Sequence, residues 1–318
     1  MISVVVPVFN EAENLPGLLH AVKSALEGLP HEVIVVDDGS ADQSPQILHR
    51  LAQTHSQMTV LLLAKNYGQS TALQAGFDHA RGRFIVTMDG DLQNDPADIP
   101  GMIAFLESNP QVDMVSGWRK SRQDAALSRR LPSQLANWLI SRITGVQLHD
   151  YGCALKAYRA NIIANLRLYG EQHRFIPALA AQVGAKIIER PVNHRARVAG
   201  RSNYGLDRTT RVLLDLLWVW FSLRFLHRPM HAFGTLGIAM LAAGGLILLG
   251  LVAQKFLAGV DIGGRPLLLL GALLTLMGGQ FLVAGILGEL LIRVYHEPKG
   301  RPQYILKPPP ERMPASGP

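Results

Sequence analysis

Two stretches near the carboxyl end limit what this 318-residue chain can fold into more than any other feature. No charged residue occurs from Ala232 to Gln254, and none from Pro266 to Gly288. As a helix, rising about 1.5 Å per residue, each is about 34 Å long, enough to cross a hydrocarbon layer of about 30 Å. The alternative is a buried helical hairpin of a soluble domain. Two such Leu/Gly/Ala runs in succession are hard to bury otherwise, and only 17% of the residues are charged, against about 25% in soluble domains. We therefore expect two membrane spans, at about 231–254 and 266–292. Arg224 and Arg228 precede the first, and Arg293, Lys299, Arg301 and Lys307 follow the second. The loop between them holds only Lys255, Asp261 and Arg265. Positive-inside reasoning puts both ends of the chain in the cytoplasm.

The first 120 residues read differently. Runs of strand character at Ile2–Val8, Glu32–Val36, Thr59–Leu63, Phe84–Met88 and Val112–Ser116 alternate with amphipathic stretches such as Glu11–Leu26 and Pro45–Ala52. Near-continuous apolar strands between helices predict an α/β domain with a mainly parallel sheet covered on both faces. Ile2–Val8 lacks a basic leader and runs into Pro7 and Asn10, so it reads as a strand and not as a signal peptide. Cys153 is the only cysteine, which rules out an intramolecular disulfide and suits a reducing compartment.

In such sheets ligands bind beyond the carboxyl ends of the strands, and the polar clusters fall there. Pro7-Val8-Phe9-Asn10-Glu11 closes the first strand and Asp37-Asp38-Gly39-Ser40 the second. Asp89-Gly90-Asp91-Leu92-Gln93 closes the fourth, and Ser116-Gly117-Trp118-Arg119 the fifth. Any one of them alone is ordinary turn chemistry; four at corresponding ends predict a site. Asp89 and Asp91 can offer hard oxygen ligands to one divalent cation, with the Gln93 amide as a third donor. Mg²⁺ or Mn²⁺ favours a few carboxylates completed by substrate phosphate oxygens. Residues 1–110 carry 5 basic against 13 acidic residues, and residues 111–230 carry 19 against 7. An acidic third followed by a basic middle suits a cation plus phosphates better than a nucleic acid. No Gly-x4-Gly-Lys-Ser/Thr occurs and no Gly-x-Gly-x-x-Gly follows the first strand, which excludes a P-loop NTPase and disfavours a dinucleotide oxidoreductase.

The runs Val4–Glu11, Val35–Ser40 and Met88–Gln93 resemble those of the family 2 glycosyltransferases, which have the GT-A nucleotide-sugar-binding fold. Within them the chain is similar to the polyprenyl-phosphate glycosyltransferases, the group of dolichyl-phosphate mannose synthase and the bacterial undecaprenyl-phosphate sugar transferases. Asp150-Tyr151-Gly152-Cys153, Gly200-Arg201-Ser202-Asn203-Tyr204-Gly205 and a tail around Tyr295, Glu297, Lys299 and Arg301 carry that likeness to nearly the whole chain. Asn203 departs from the pattern, since many relatives have Lys there. The resemblance implies inverting transfer of a sugar from a UDP- or GDP-linked donor to undecaprenyl phosphate, for cell-envelope glycosylation or lipopolysaccharide modification. Pro7, Phe9, Glu11 and Asp38 would line the nucleotide pocket, with Asp89, Asp91 and Gln93 at the metal and diphosphate. Arg119, Arg197, Arg201 and Ser202 would meet the acceptor phosphate, and Asp150 would stand at the reaction centre.

The implied organisation is a cytoplasmic GT-A domain over 1–205, an interfacial amphipathic helix over 206–228, two spans within 229–294, and a basic tail over 295–318, in the bacterial inner membrane. The interfacial helix would bring the site to where a lipid phosphate emerges. Ala284-x-x-x-Gly288 suggests helix packing and a homo-oligomer. Three rivals stand beside this reading. A polysaccharide synthase acting on a sugar hydroxyl usually shows Gln-x-x-Arg-Trp and more spans, neither of which is present. A non-catalytic scaffold need not keep Asp89 and Asp91, and a transporter would need more polar residues in its spans than Thr275 and Gln280.

Overall fold

The computed structural model describes residues 1–120, 140–142, 144–168, 170, 172–195, 221 and 229–296. The chain divides into two units, Met1–Val219 and Trp220–Pro318.

The first unit is built on one seven-stranded sheet. Its strands are β1 (Ile2–Val8), β2 (His31–Asp37), β3 (Met58–Leu62), β4 (Phe84–Thr87), β5 (Met114–Trp118), β6 (Lys156–Arg159) and β7 (Ile187–Pro191), in the order β3-β2-β1-β4-β6-β5-β7. β1, β2, β3 and β4 run parallel, β7 is parallel to β5, and β6 is antiparallel to both β4 and β5. The five predicted strands are all present, within two residues at each end. β6 and β7 lie outside the prediction: Lys156-Ala157-Tyr158-Arg159 is too short to show an alternation, and it is the neighbours on either side that make it a strand.

Among the described residues the named α-helices of this unit are α1 (Leu15–Ala25), α2 (Ser44–Thr54), α3 (Gln69–His79), α4 (Ile99–Ser108), α5 (Ala160–Ala164) and α6 (Ile176–Gln182), and residues 140–142 are also helical. α1 buries Leu15, Leu18, Leu19 and Val22, and α4 buries Ile99, Met102, Ile103 and Leu106. These are the spacings of one helical face, and both faces pack with Val4, Val6 and Val86 in one core layer. On the other side of the sheet Val5, Ile34 and Ile85 pack with Ala72, Leu73 and Phe77 of α3. With both faces covered, β1 is buried along its whole length, which is why its sequence is an unbroken apolar run.

The second unit contains α7 (Pro229–Ala258) and α8 (Pro266–His296). They run longer than the spans expected from charge alone, because Lys255 and Arg293 continue their helices. The pair packs closely where side chains vanish. A Cβ on Gly237 would lie 2.8 Å from the Gly278 carbonyl oxygen, and one on Gly244 would lie 2.8 Å from that of Gly271. The pairing is antiparallel, and Phe233 stacks on Phe281 at 6.3 Å. Outward, Leu246 is 71% exposed and Leu257 88%. A core helix of a soluble domain would bury such residues; these two helices are suited in length and surface to a membrane. The segment expected as an interfacial helix lies outside the described residues except for Phe221, as does the tail beyond His296.

Candidate active site

The site grows from the carboxyl ends of β1, β2 and β4. Register sets Val8 of β1 beside Asp37 of β2, and the Asp38 amide donates to the Val8 carbonyl at 2.8 Å. The two loops beyond are tied together. The Asn10 amide donates to Ser40 Oγ (2.8 Å), and Asn10 Oδ1 accepts from the Ala41 amide (2.8 Å). The Glu11 amide donates to Ser44 Oγ (3.1 Å) and that of Ala12 to Asp42 Oδ2 (3.1 Å). Asn10 turns the chain at φ 57°, a left-handed conformation that asparagine tolerates better than most residues. Phe9 stands exposed at the rim.

Asp38 also ties down the turn that leads into α3. It is buried, and its two oxygens accept the amides of Tyr67 (2.7 Å) and Gly68 (2.9 Å). Burial pushes its carboxyl up, against the pull of those two amides. Gly39 beside it has φ 70°, and a Cβ there would strike the Lys65–Asn66 peptide at 2.3 Å. Only glycine fits this approach. Asp38 thus fixes the start of α3, and the first residue of α3 reaches the acidic pair: Gln69 Nε2 donates to Asp89 Oδ1 at 2.7 Å.

Asp89 and Asp91 sit at the tip of β4, half-buried and buried. The Asp89 amide donates to Asn94 Oδ1 (3.2 Å), and Asp91 Oδ1 accepts the Gln93 amide (3.2 Å). Leu92 between them takes φ 61°, a conformation costing an apolar residue roughly 1–2 kcal/mol. A Cβ on Gly90 would lie 3.4 Å from the Pro7 oxygen and 3.8 Å from Glu11 Cγ, so the tips of β1 and β4 meet. Burial first, and the neighbouring Asp91 charge second, push the Asp89 pKa up to about 6, while Lys156 and Arg119 pull it back. Two carboxylates thus stand close enough at the tip of β4 for each charge to be felt by the other.

On the far side, Arg119 follows β5 and meets Asp150. Arg119 Nε donates to Asp150 Oδ2 at 2.7 Å and Nη2 to Oδ1 at 2.9 Å. The side chains are 15% and 4% exposed. Burial opposes the guanidinium charge, but the Asp150 carboxylate outweighs it and holds Arg119 above its ordinary value. Lys156, on the antiparallel β6, is fully buried and donates to the Cys153 carbonyl. Burial lowers its pKa, and burial raises that of the Cys153 thiol. Gln93 joins a further contact: its carbonyl accepts the Arg195 amide at 2.9 Å, and Arg195 Nη2 pairs with Asp95 at 2.6 Å. The segment after β7 is thereby fastened to the acidic loop.

The structure brings Pro7, Glu11, Asp89, Asp91 and Gln93 together, and pairs Arg119 with Asp150. Arg197, Arg201 and Ser202 lie outside the described residues. Gln69, Lys156 and Glu189 were not anticipated. Gln69 follows a strand's carboxyl end and opens a helix, a signal that could have found it. Lys156 and Glu189 sit on the two unanticipated strands, and nothing local marks them.

The sequence model of the family described as glycosyl transferase family 2 matches residues 3–167. The chain is 48% identical to the dodecaprenyl-phosphate galacturonate synthase of Rhizobium johnstonii, over 96% of this chain and 92% of that protein. It is 37% identical to the undecaprenyl-phosphate 4-deoxy-4-formamido-L-arabinose transferase of Pseudomonas fluorescens, over 96% and 89%. In fold it is similar to glucosyl-3-phosphoglycerate synthase from Mycobacterium tuberculosis, solved with Mn²⁺ and UDP-glucose. The TM-score there is 0.54 at 18% identity, over 70% of this chain and 78% of that one. With the acidic pair at the tip of β4 and these likenesses along nearly its whole length, the chain belongs to glycosyl transferase family 2 and is a glycosyltransferase.

Proposed function

We propose that the protein transfers a sugar, with inversion, from a nucleoside-diphosphate donor to the phosphate of a polyprenyl lipid, undecaprenyl phosphate in a bacterium. The observation that carries this is the extent of likeness. Relatives named for polyprenyl-phosphate acceptors match 96% of the chain, through both apolar helices, and not only the sugar-nucleotide fold. The catalytic part is residues 1–205, followed by an interfacial segment over 206–228, two spans within 229–294, and a basic tail over 295–318. Both ends lie in the cytoplasm, at the inner membrane.

Asp89, Asp91 and Gln93 suit a divalent metal. Among the described residues no group of three or more His, Cys, Asp or Glu is placed to enclose one. Two carboxylates and an amide fit Mg²⁺ or Mn²⁺, which complete their shell with water and phosphate oxygens. Bound there, the metal supplies neutralisation of the departing diphosphate. The protein's own groups do the rest. Pro7, Phe9 and Glu11 border the nucleotide, and Asp38 holds the Tyr67–Gly68 turn that presents Gln69 to Asp89. A phosphate monoester has a second pKa of about 6 and is already largely an anionic nucleophile at cytoplasmic pH. A strong base is therefore unnecessary. Arg119, its Nε and Nη2 held by Asp150, keeps the Nη1 hydrogens and one on Nη2 for a phosphate, and catalysis is mainly positioning and electrostatics. Arg197, Arg201 and Ser202 complete the acceptor side.

The test is purified full-length protein with undecaprenyl phosphate and a panel of radiolabelled nucleotide sugars, a nucleotide-linked galacturonate first because the 48% identical relative is named for that sugar. Label in the lipid fraction, dependent on Mg²⁺ or Mn²⁺, is the expected result. Label only in a soluble or polymeric glycan would favour a hydroxyl acceptor and overturn the lipid assignment.

A further inference from the structure

Asp150 aims Arg119, and Asp150 itself lies in a stretch that belongs to no helix or strand. No ladder of backbone hydrogen bonds fixes such a segment, so another group has to. That group is Glu189 on β7. Glu189 Oε1 accepts the Asp150 amide at 2.8 Å; Oε2 accepts the His149 amide at 2.9 Å and pairs with His149 Nδ1 at 2.8 Å. The Glu189 side chain is 11% exposed and that of His149 71%, so the bond to the Asp150 amide is the better shielded of the three. The same strand also anchors the other half of the ion pair. Glu189 is in register with Ser116 of β5 and Pro191 with Trp118, and the Val192 amide donates to the Trp118 carbonyl at 3.0 Å. Arg119 follows directly. The Trp118 ring then stacks on His149 at 4.5 Å, closing the loop of contacts.

We propose that Glu189 is a positioning residue for sugar transfer. It holds the 149–150 turn so that Asp150 keeps the Arg119 guanidinium on one fixed line. The role rests on the reading of Arg119 as the acceptor-phosphate residue. The reason it matters is geometric: the guanidinium edge that Asp150 leaves free works only in register with its anion, and a misplacement of about 1 Å can cost about 100-fold in rate. Glu189 touches neither substrate in this scheme and acts through Asp150.

Glu189→Gln tests it in the full-length protein. The change keeps size but turns one accepting oxygen into a donor, so at least one of the three donors loses its acceptor. The expected result is a kcat for undecaprenyl phosphate lower by about 10- to 100-fold, with the nucleotide-sugar KM within about threefold and the melting temperature within a few degrees. Glu189→Asp, which keeps charge but shortens reach, should fail in the same direction. Amide hydrogen exchange over residues 148–152 should quicken in both. In an Arg119→Lys background, Glu189→Gln should add less than about twofold, because the two act in series. Equal losses in both backgrounds, a kcat within about twofold of wild type, or unchanged exchange would each overturn the role. If wild-type protein labels no lipid, the acceptor reading falls instead, and the exchange measurement still decides whether Glu189 holds the turn.

Discussion

Asp89 and Asp91 are two residues apart in sequence, both just beyond the end of β4, yet they are met by different neighbours. Asp89 is met by Gln69 from α3, whereas Asp91 is bonded by the amide of Gln93 in its own loop. The left-handed Leu92 makes that turn possible, and its side chain packs against Gly17 of α1, with a built Cβ there 3.6 Å from Leu92 Cδ1. Local strain is thus offset by apolar contact, a pattern common at functional loops. Asp89→Asn and Asp91→Asn should each lower transfer by at least about 100-fold, on the scale of losing a group that stabilises transition-state charge. Thermal stability should be retained, since neither change empties the core. EDTA should remove activity and added Mn²⁺ or Mg²⁺ restore it. Full activity in chelator would refute the metal assignment. The sequence showed this pair plainly, because its residue types and its place after an apolar run are both local. It did not show that Asp38, in the same kind of place, spends both oxygens on Tyr67 and Gly68, since those partners arrive from β3's far end.

Among the elements, the start of α2 shows how one carboxylate ties a helix to the site. Asp42 accepts the Ser44 amide at 2.9 Å and, with its other oxygen, the Ala12 amide next to Glu11. Burial opposes its charge, but the Ser44 hydroxyl and amide and the Ala12 amide hold its carboxyl below the ordinary value. A lowered folded-state pKa means stability present above the unfolded value of about 3.9 and lost as pH falls through the folded one. Asp42→Ala should therefore cost about 1 kcal/mol at pH 7. Read as a melting temperature about 2–4 °C lower, the gap to wild type should narrow below about pH 4; a gap independent of pH would contradict a role for the Asp42 carboxylate charge. In the helical hairpin, the informative contrast is between two glycines. A Cβ at Gly278 would meet the Gly237 oxygen at 2.8 Å, whereas one at Gly245 meets nothing within 4 Å. Gly278→Ala should destabilise the purified protein in detergent by roughly 1–3 kcal/mol through overpacking. Gly245→Ala should be neutral or slightly stabilising, as alanine is the better helix former. Equal melting curves for the two would mean the glycine seam is not what holds α7 to α8.

For the molecule as a whole, the proposed orientation in a membrane rests on charge at the ends of the apolar helices and can be tested. Cysteine at Gly263, in a Cys153→Ser background, should react with an impermeant thiol reagent on intact cells, while cysteine at Ser121 should stay protected. Labelling at position 121 from outside would reverse the orientation. Much of this plan was written locally. Two long uncharged runs, five apolar strands, four of them with polar tips, and an Asp-x-Asp after the fourth are short-range patterns, and each reflects one element meeting one solvent. What needed the tertiary structure was every contact between distant segments. β6 is four residues long and antiparallel, a strand only because β4 and β5 lie on either side of it. That insertion puts Lys156 beneath the acidic pair and carries Tyr151 and Cys153 into the interior. It also sets β5 beside β7, so that Glu189 reaches residues 149–150 and Asp150 reaches Arg119. Hydrophobic periodicity decides which face of an element is buried. Sheet order decides which polar side chains meet, and it is fixed by pairings between strands whose partners no local stretch of sequence names.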